Sequence, residues 1–377
     1  MEKKTTCTAR GISGKLSFDS TPHASLCNDD AHQAGSFHFK PALPVDEQID
    51  HLVEQGIVVE NRQFAEFCLL TSNYYRLRGY WMTFEEDGAI RAGTRLEDIW
   101  AIHEFDREVR LWLWKLIERV EIKARTQFAY VLSNEFGADA HLQAELFFNE
   151  KNHKQSLGII EDEIGRAKNQ NMPCVIHNLN KYGELPLWAA VEVMSMGVVS
   201  ALYGNLRQDA KADEHEKAAA DEIASVFGVS RRYLVSWLRH LTMVRNICAH
   251  HNRFYNRLLK SLPLMLRRDK RYAGNREFPT FVVLSRIYEK SWPSVWQQAI
   301  DELDAIVARY PNVSLKPMGF PEDWRDVLGL SAEAEVSEMK NFNKRKSLTA
   351  KRIGKTLVGI RAHEQSISER PKKAGDE

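Results

Sequence analysis

Between Leu96 and Phe136 no proline or glycine interrupts the chain, and Phe105, Val109, Trp112, Leu113, Leu116, Ile117, Val120, Ala124, Phe128, Val131 and Leu132 recur at steps of three and four. That period winds the apolar side chains into one continuous stripe on an α-helix, which must bury itself against other elements. Gly137 marks its end, and one helix over Leu96 to Phe136 is expected; because the stretch is long for a globular helix, a break near Glu104 is the alternative. The opposite face, with Glu108, Lys115, Arg119 and Lys123, reads as a solvated charged side.

The same period recurs elsewhere. Phe64 to Tyr80 reads as one helix packed through Tyr74 or Tyr75 and capped near Gly79, with Arg76 and Arg78 as less favoured nucleic-acid contacts. LPLWAAVEVMSMGVVSALYGNL follows Pro186, which suits a first helical turn, and Gly197 within it lets another helix approach. Ser230 is a good N-cap for SRRYLVSWLRHLTMVRNICAHH, where Leu234, Trp237, Leu238, Leu241, Val244 and Cys248 form the inward stripe. Residues 252–310 read as helical again, with a turn at Ala273-Gly274-Asn275. No convincing set of alternating strands and no internal repeat appear, so the expected fold class is all-α.

Composition bounds the rest. Hydrophobic residues make up 44% of the 377, ample for a core, and the net charge of +1 means that any basic surface is local. Cys7, Cys27, Cys68, Cys174 and Cys248 are odd in number and form no C-x-x-C pair, which argues against a disulfide framework or zinc knuckle and fits a reducing compartment. No apolar run approaches the roughly 20 residues that span a bilayer, and Met1 to Phe39 lacks the apolar stretch of a signal peptide. The expected location is cytoplasmic, with no membrane contact. Residues 1–39 are polar and aperiodic, and a disordered segment is expected there. Residues 40–330 read as the helical domain and 331–377 as a basic flexible tail, where eleven Lys or Arg between Lys340 and Lys373 face only Glu364 and Glu369. That tail is either solvated or an electrostatic arm for RNA. Gly354-Lys355-Thr356 is not a phosphate-binding loop, since Thr349 stands where the upstream glycine is needed.

The chemistry concentrates in Arg245-Asn246-Ile247-Cys248-Ala249-His250-His251-Asn252-Arg253. On a helix, Asn246 and His250 share a face and Arg245 flanks it. Cleavage of RNA without a metal needs these groups. The ribose 2′-OH must lose a proton as it attacks phosphorus, the leaving 5′-oxygen must gain one, and an imidazole with pKa near about 6.5 does either at neutral pH. An Arg fork meets phosphate oxygens with two donors, and Asn246 orients His250 or holds a phosphate oxygen. Arg followed by His five residues later is nonetheless a weak signal alone, since helix-end residues of both types also bind backbone carbonyls.

A wider pattern accompanies it. RNICAHHNRFYNR resembles the R-N-x-x-A-H-H-x-R-x-x-N-R block of the abortive-infection (Abi) family of the AbiD/AbiF type, which contains the R-x-x-x-x-H signature of HEPN domains (higher eukaryotes and prokaryotes nucleotide-binding). KPALPVDEQIDHLVEQGIVV, SNYYRLRGYW, FDREVRLWLWKLIERVEIKAR, LPLWAAVEVMSMGVVSALYGNL and MGFPEDW resemble further segments of that family, in order, over about Lys40 to Leu330. The resemblance implies a HEPN-like helical bundle with additional packed helices, and an RNase toxin acting in phage defence. It assigns catalysis to Arg245, Asn246 and His250, with His251, Arg253, Glu121 and Arg125 auxiliary and neither metal nor cofactor. Glu118, Glu121 and Arg125 match the long-helix pattern, either facing the site or forming salt bridges along the helix. HEPN RNases pair two motifs and this chain has one, so the resemblance implies a homodimer around one RNA phosphate. It also implies a regulator, RNA or protein, because a constitutive RNase would poison its host.

Three other readings compete. One is a HEPN module that binds RNA without cutting. Another is a helix-turn-helix regulator of DNA, from Ala224, Gly228 and Leu234 in IASVFGVSRRYLVSWL, against which Trp237 and Leu241 carry the apolar stripe too far for a recognition helix. The weakest is a metal enzyme using His240, His250 and His251, whose spacing matches no zinc site and has no carboxylate.

Overall fold

The computed structural model describes residues 41–211 and 217–329. The expectations for residues 1–39 and for the basic tail lie outside them. Among the described residues the fold is all-α, with one two-residue hairpin, β1 (Glu85–Glu86) and β2 (Ala89–Ile90). The helices are α1 (Val45–Glu54), α2 (Arg62–Ser72), α3 (Tyr74–Trp81), α4 (Leu96–Phe136), α5 (Glu150–Asn169), α6 (Pro173–Tyr182), α7 (Leu187–Val193), α8 (Met196–Asn205), α9 (Ala219–Val226), α10 (Arg231–Ala249), α11 (Phe278–Ser291), α12 (Pro293–Arg309) and α13 (Trp324–Leu328).

The 41-residue α4 runs without a break at Glu104 and is the axis of the fold, touching α3 and α7 to α12. Its stripe is buried along its length, and each large apolar side chain so enclosed contributes about 1.5–3 kcal/mol. Two ring polar groups buried at this core are satisfied: Trp112 Nε1 donates to the Ala299 carbonyl at 2.8 Å and the Tyr288 hydroxyl to that of Leu116 at 2.8 Å.

The charged side of α4 is only partly the solvated face expected: Lys115 and Arg119 are exposed, Glu108 and Lys123 half-buried. α12 lies along it, so Lys115 pairs with Glu302 at 2.6 Å, and Glu108 takes Arg309 and the Tyr310 hydroxyl. Lys123 turns inward to the Val226 carbonyl and Ser291, over the rings of Phe227 and Trp292. Desolvation lowers its ammonium pKa to about 8.

Three helical runs differ from the periodicity. Phe64 to Tyr80 is two helices, because Asn73 takes φ +64° and its side chain accepts the Tyr75 N–H, starting α3 afresh. Gly79 is thus inside α3 rather than a cap, and a Cβ there would stand 3.5 Å from the Arg253 side chain. The run after Pro186 breaks at Met194-Ser195, where Ser195 caps α8, and the chain from Asn252 to Leu266 is irregular, not helical. Ser230 does precede α10 but makes no side-chain capping bond.

α10 packs on α4, α8, α9 and α11. Its stripe of Leu234, Trp237, Leu238, Leu241, Val244 and Cys248 is buried throughout. A Cβ on Gly197 would meet Thr242 at 3.6 Å and one on Gly204 would meet Val235 at 3.4 Å, so α8 lies against α10 through small residues. Gly228 makes the tight turn from α9 to α10 at φ +73°. With its stripe in the core, α10 is a packed helix and not a projecting recognition helix.

Candidate active site

The last turn of α10 delivers the sequence-predicted residues. His250 is the C-cap, its N–H bonded to the Asn246 carbonyl at 3.0 Å. The chain then reverses through His251 at φ +54°, with His251 N–H on Cys248 O and Asn252 N–H on Ile247 O. These two bonds define a Schellman ending with His in the left-handed position that glycine usually fills. Asn246, His250 and His251 are exposed, and the His250 ring has no hydrogen bond among the described residues.

Arg245 is held from two sides by α4. Its Nε lies 3.4 Å from Glu121 Oε2, and its guanidinium stacks over the Trp114 ring at 5.0 Å. The Glu121 contact is ionic and poorly aligned, because Arg245 Nε is buried with no hydrogen bond. Nη1 reaches Asn246 Oδ1 at 3.5 Å, and Nη2 has no hydrogen bond among the described residues. Glu121 is itself nearly buried and also takes Arg125 Nη2. One enclosed carboxylate therefore restrains two guanidiniums, one of them at the mouth of the site. Glu118 does not join it and borders a groove with Arg119, Lys123 and Trp292.

Arg253 does not reach the site. Its guanidinium turns inward to the carbonyls of Tyr255 and Asn256 at 3.2 Å and braces the loop. His240 is also remote in role: fully buried, bonded to the Ser261 carbonyl and Thr280 Oγ1, and lowered by desolvation to about pKa 4. Among the described residues no three His, Cys, Asp or Glu are grouped as metal ligands would be.

Sequence reasoning missed what fixes the turn after His250. Asp106, fully enclosed, accepts the N–H of Tyr255 at 2.7 Å and of Phe254 at 3.2 Å, the Tyr80 hydroxyl at 2.8 Å and Arg110 Nε at 3.2 Å. Arg76 of α3 donates to the His251 carbonyl. The end of α10 is thus clamped by α3 and α4 together. A signal did exist, for Asp106 and Arg110 sit one turn apart inside the apolar stripe between Ile102 and Leu113. Charges at stripe positions are buried and must be partnered.

An all-α protein with Arg, Asn and His grouped at the end of a clamped helix is the class that this fold and site define. Residues 68–256, half of the chain, match the family described as Abi-like protein, and the chain belongs to that family. The match takes in α3 to α10 and the whole Arg245–His250 segment, and is narrower than the resemblance read over Lys40 to Leu330. Membership supports a role in abortive infection as phage defence. No curated protein and no solved structure matches. Among the described residues no helix is long and apolar enough to cross a membrane.

Proposed function

We propose that this chain is a metal-independent endoribonuclease of the HEPN type, cytoplasmic, working as a homodimer under the control of an RNA or protein partner. The observation that carries the reading is the division of labour at the end of α10. Arg245 is held by Glu121 and Trp114 with guanidinium nitrogen to spare, while His250 and Asn246 stand exposed beside it on a clamped turn. In the reaction the ribose 2′-oxygen bonds to phosphorus as the bond from phosphorus to the 5′-oxygen breaks. One His250 takes the 2′-OH proton, and the His250 of a second copy gives a proton to the 5′-oxygen. Arg245 bears the charge gathering on the phosphate oxygens, with Asn246 as a neutral donor. The products are a 2′,3′-cyclic phosphate and a 5′-hydroxyl, and DNA, without the 2′-OH, is inert.

The test expresses wild type, Arg245→Ala and His250→Ala in a bacterial host and maps RNA ends before and after phage challenge. Growth arrest with new cyclic phosphate ends in wild type alone supports the reading. Identical behaviour of all three, with no new ends after challenge, leaves an RNA-binding module that does not cut. The mass of the purified chain in solution tests the homodimer.

A further inference from the structure

Beside Arg245 a crevice of 360 Å³ opens between α4 and the end of α10, lined by Arg107, Arg110, Leu111, Trp114, Cys248, Ala249 and His251. We propose that it is a nucleobase subsite, in which one base of the RNA stacks on Trp114 while its neighbouring phosphate lies at Arg245 and His250. The proposal rests on the RNase reading for the identity of the polymer.

The walls carry the argument. Trp114 is 38% exposed and Leu111 55%, and both line the crevice, whereas Ile122 and Tyr130, the other large apolar residues of α4 left exposed, do not. Trp114 also carries the Arg245 guanidinium, so one ring touches both the phosphate ligand and the crevice. Small side chains, Cys248 and Ala249, leave the space open on the α10 side. The volume lies in the range of about 300–1,000 Å³ usual for small-ligand sites. The polar lining is one-sided: Arg107, Arg110 and His251 contribute, and no carboxylate does. Glu104 and Asp106, which pair with Arg107 and Arg110, are not part of its wall. An aromatic face with guanidinium donors suits a flat base presenting acceptors, and guanine, with O6 and N7 side by side, suits it best.

The experiment uses the full chain and three variants: Trp114→Ala, Trp114→Phe and Ala249→Leu, the last filling the crevice without touching the ring. Cleavage ends are mapped on an RNA of random sequence. Binding is measured on His250→Ala protein, with or without the crevice substitutions, using oligonucleotides made uncleavable by a 2′-deoxy residue at the cut. Each position is in turn made abasic. The expected result is a base preference, guanine foremost, at one position next to the cut, where an abasic residue weakens binding about tenfold or more. Trp114→Ala and Ala249→Leu erase both effects, and Trp114→Phe keeps them.

Absence of an abasic penalty at every position, or a preference that survives both crevice variants, overturns the subsite. A lower solution mass of Trp114→Ala with base preference intact also overturns it and gives the crevice to a second copy of the chain. The two readings fail separately. Cleavage without preference or penalty sinks the subsite alone. A penalty lost in Trp114→Ala, with no cleavage by wild type, sinks the RNase reading alone.

Discussion

Asp106 and Glu121 are buried carboxylates on the same helix, roughly four turns apart, and they are finished differently. Asp106 is filled on both oxygens by two backbone N–H groups, a tyrosine hydroxyl and Arg110. Glu121 has two guanidiniums beside it, and the Nε of each is buried with no hydrogen bond. A fully satisfied polar cluster specifies one arrangement of its surroundings. An incompletely satisfied one leaves interaction capacity for a ligand, which is why such groups gather at functional sites. The first cluster fixes where the chain goes after His250, and the second holds Arg245 beside α4 and only partly committed.

Removing Asp106 is the largest expected break in that contrast. Asp106→Ala leaves Arg110, two buried N–H groups and the Tyr80 hydroxyl without their acceptor, at a cost of about 3–5 kcal/mol. That is a large part of the roughly 5–15 kcal/mol by which domains are stable. Urea midpoints of wild type and variant measure it, and a loss under about 1 kcal/mol would deny Asp106 the structural role.

Glu277 sharpens the comparison, being as buried as Asp106 and less satisfied. Its Oε1 accepts the Arg257 N–H, its Oε2 has no hydrogen bond, and desolvation raises its pKa to about 7. A carboxyl whose folded pKa exceeds its unfolded value contributes stability below the unfolded pKa, which is lost as pH rises through the folded one. Between pH 5.5 and 8 wild type should lose about 2 kcal/mol relative to Glu277→Gln. Parallel pH profiles of the two proteins in urea would show instead that Glu277 is ionised throughout.

Glu121→Gln comes next, with a stability cost of about 1–2 kcal/mol because its partners are partly solvated. Its effect on RNA cleavage should exceed its effect on folding, since Arg245 loses the charge that orients it. If both fall in proportion, Glu121 belongs with Asp106 and the contrast between the two carboxylates disappears.

The difference between these regions also explains what was legible in the sequence. α4 was readable almost to the residue because an unbroken period of three and four leaves no other way to bury Phe105 to Leu132. The end of α10 was readable because Arg245, Asn246 and His250 are local on one helix. The break at Asn73 was not, since a positive φ there depends on a capping bond to Tyr75 that periodicity does not register. The irregular chain from Asn252 to Leu266 was read as helical because nothing local reports that its N–H groups at Phe254 and Tyr255 are taken by Asp106. Glu108 and Lys123 were read as solvated with the rest of the charged side of α4 because their partners, Arg309 and Tyr310 for one and Val226 and Ser291 for the other, lie far along the chain. Trp114 fell within the long-helix segment that resembles the family but was assigned to no site, and only the fold brings it against Arg245.

The smallest expected effect tests the turn itself. His251 holds φ +54°, a conformation in which a Cβ costs about 1–2 kcal/mol, and the helix ending there is of the kind that glycine usually completes. Glycine removes that strain but adds freedom to the unfolded chain, so the two terms partly cancel. His251→Gly should therefore raise stability by about 0.5–1 kcal/mol, read as a higher urea midpoint at unchanged slope. A gain means that the chain keeps a strained histidine beside the crevice at some cost to folding, as expected of a residue retained for contact with a ligand. A loss means that the His251 side chain contributes packing against α4 that outweighs the strain, and that its place is with Asp106 on the structural side of the site.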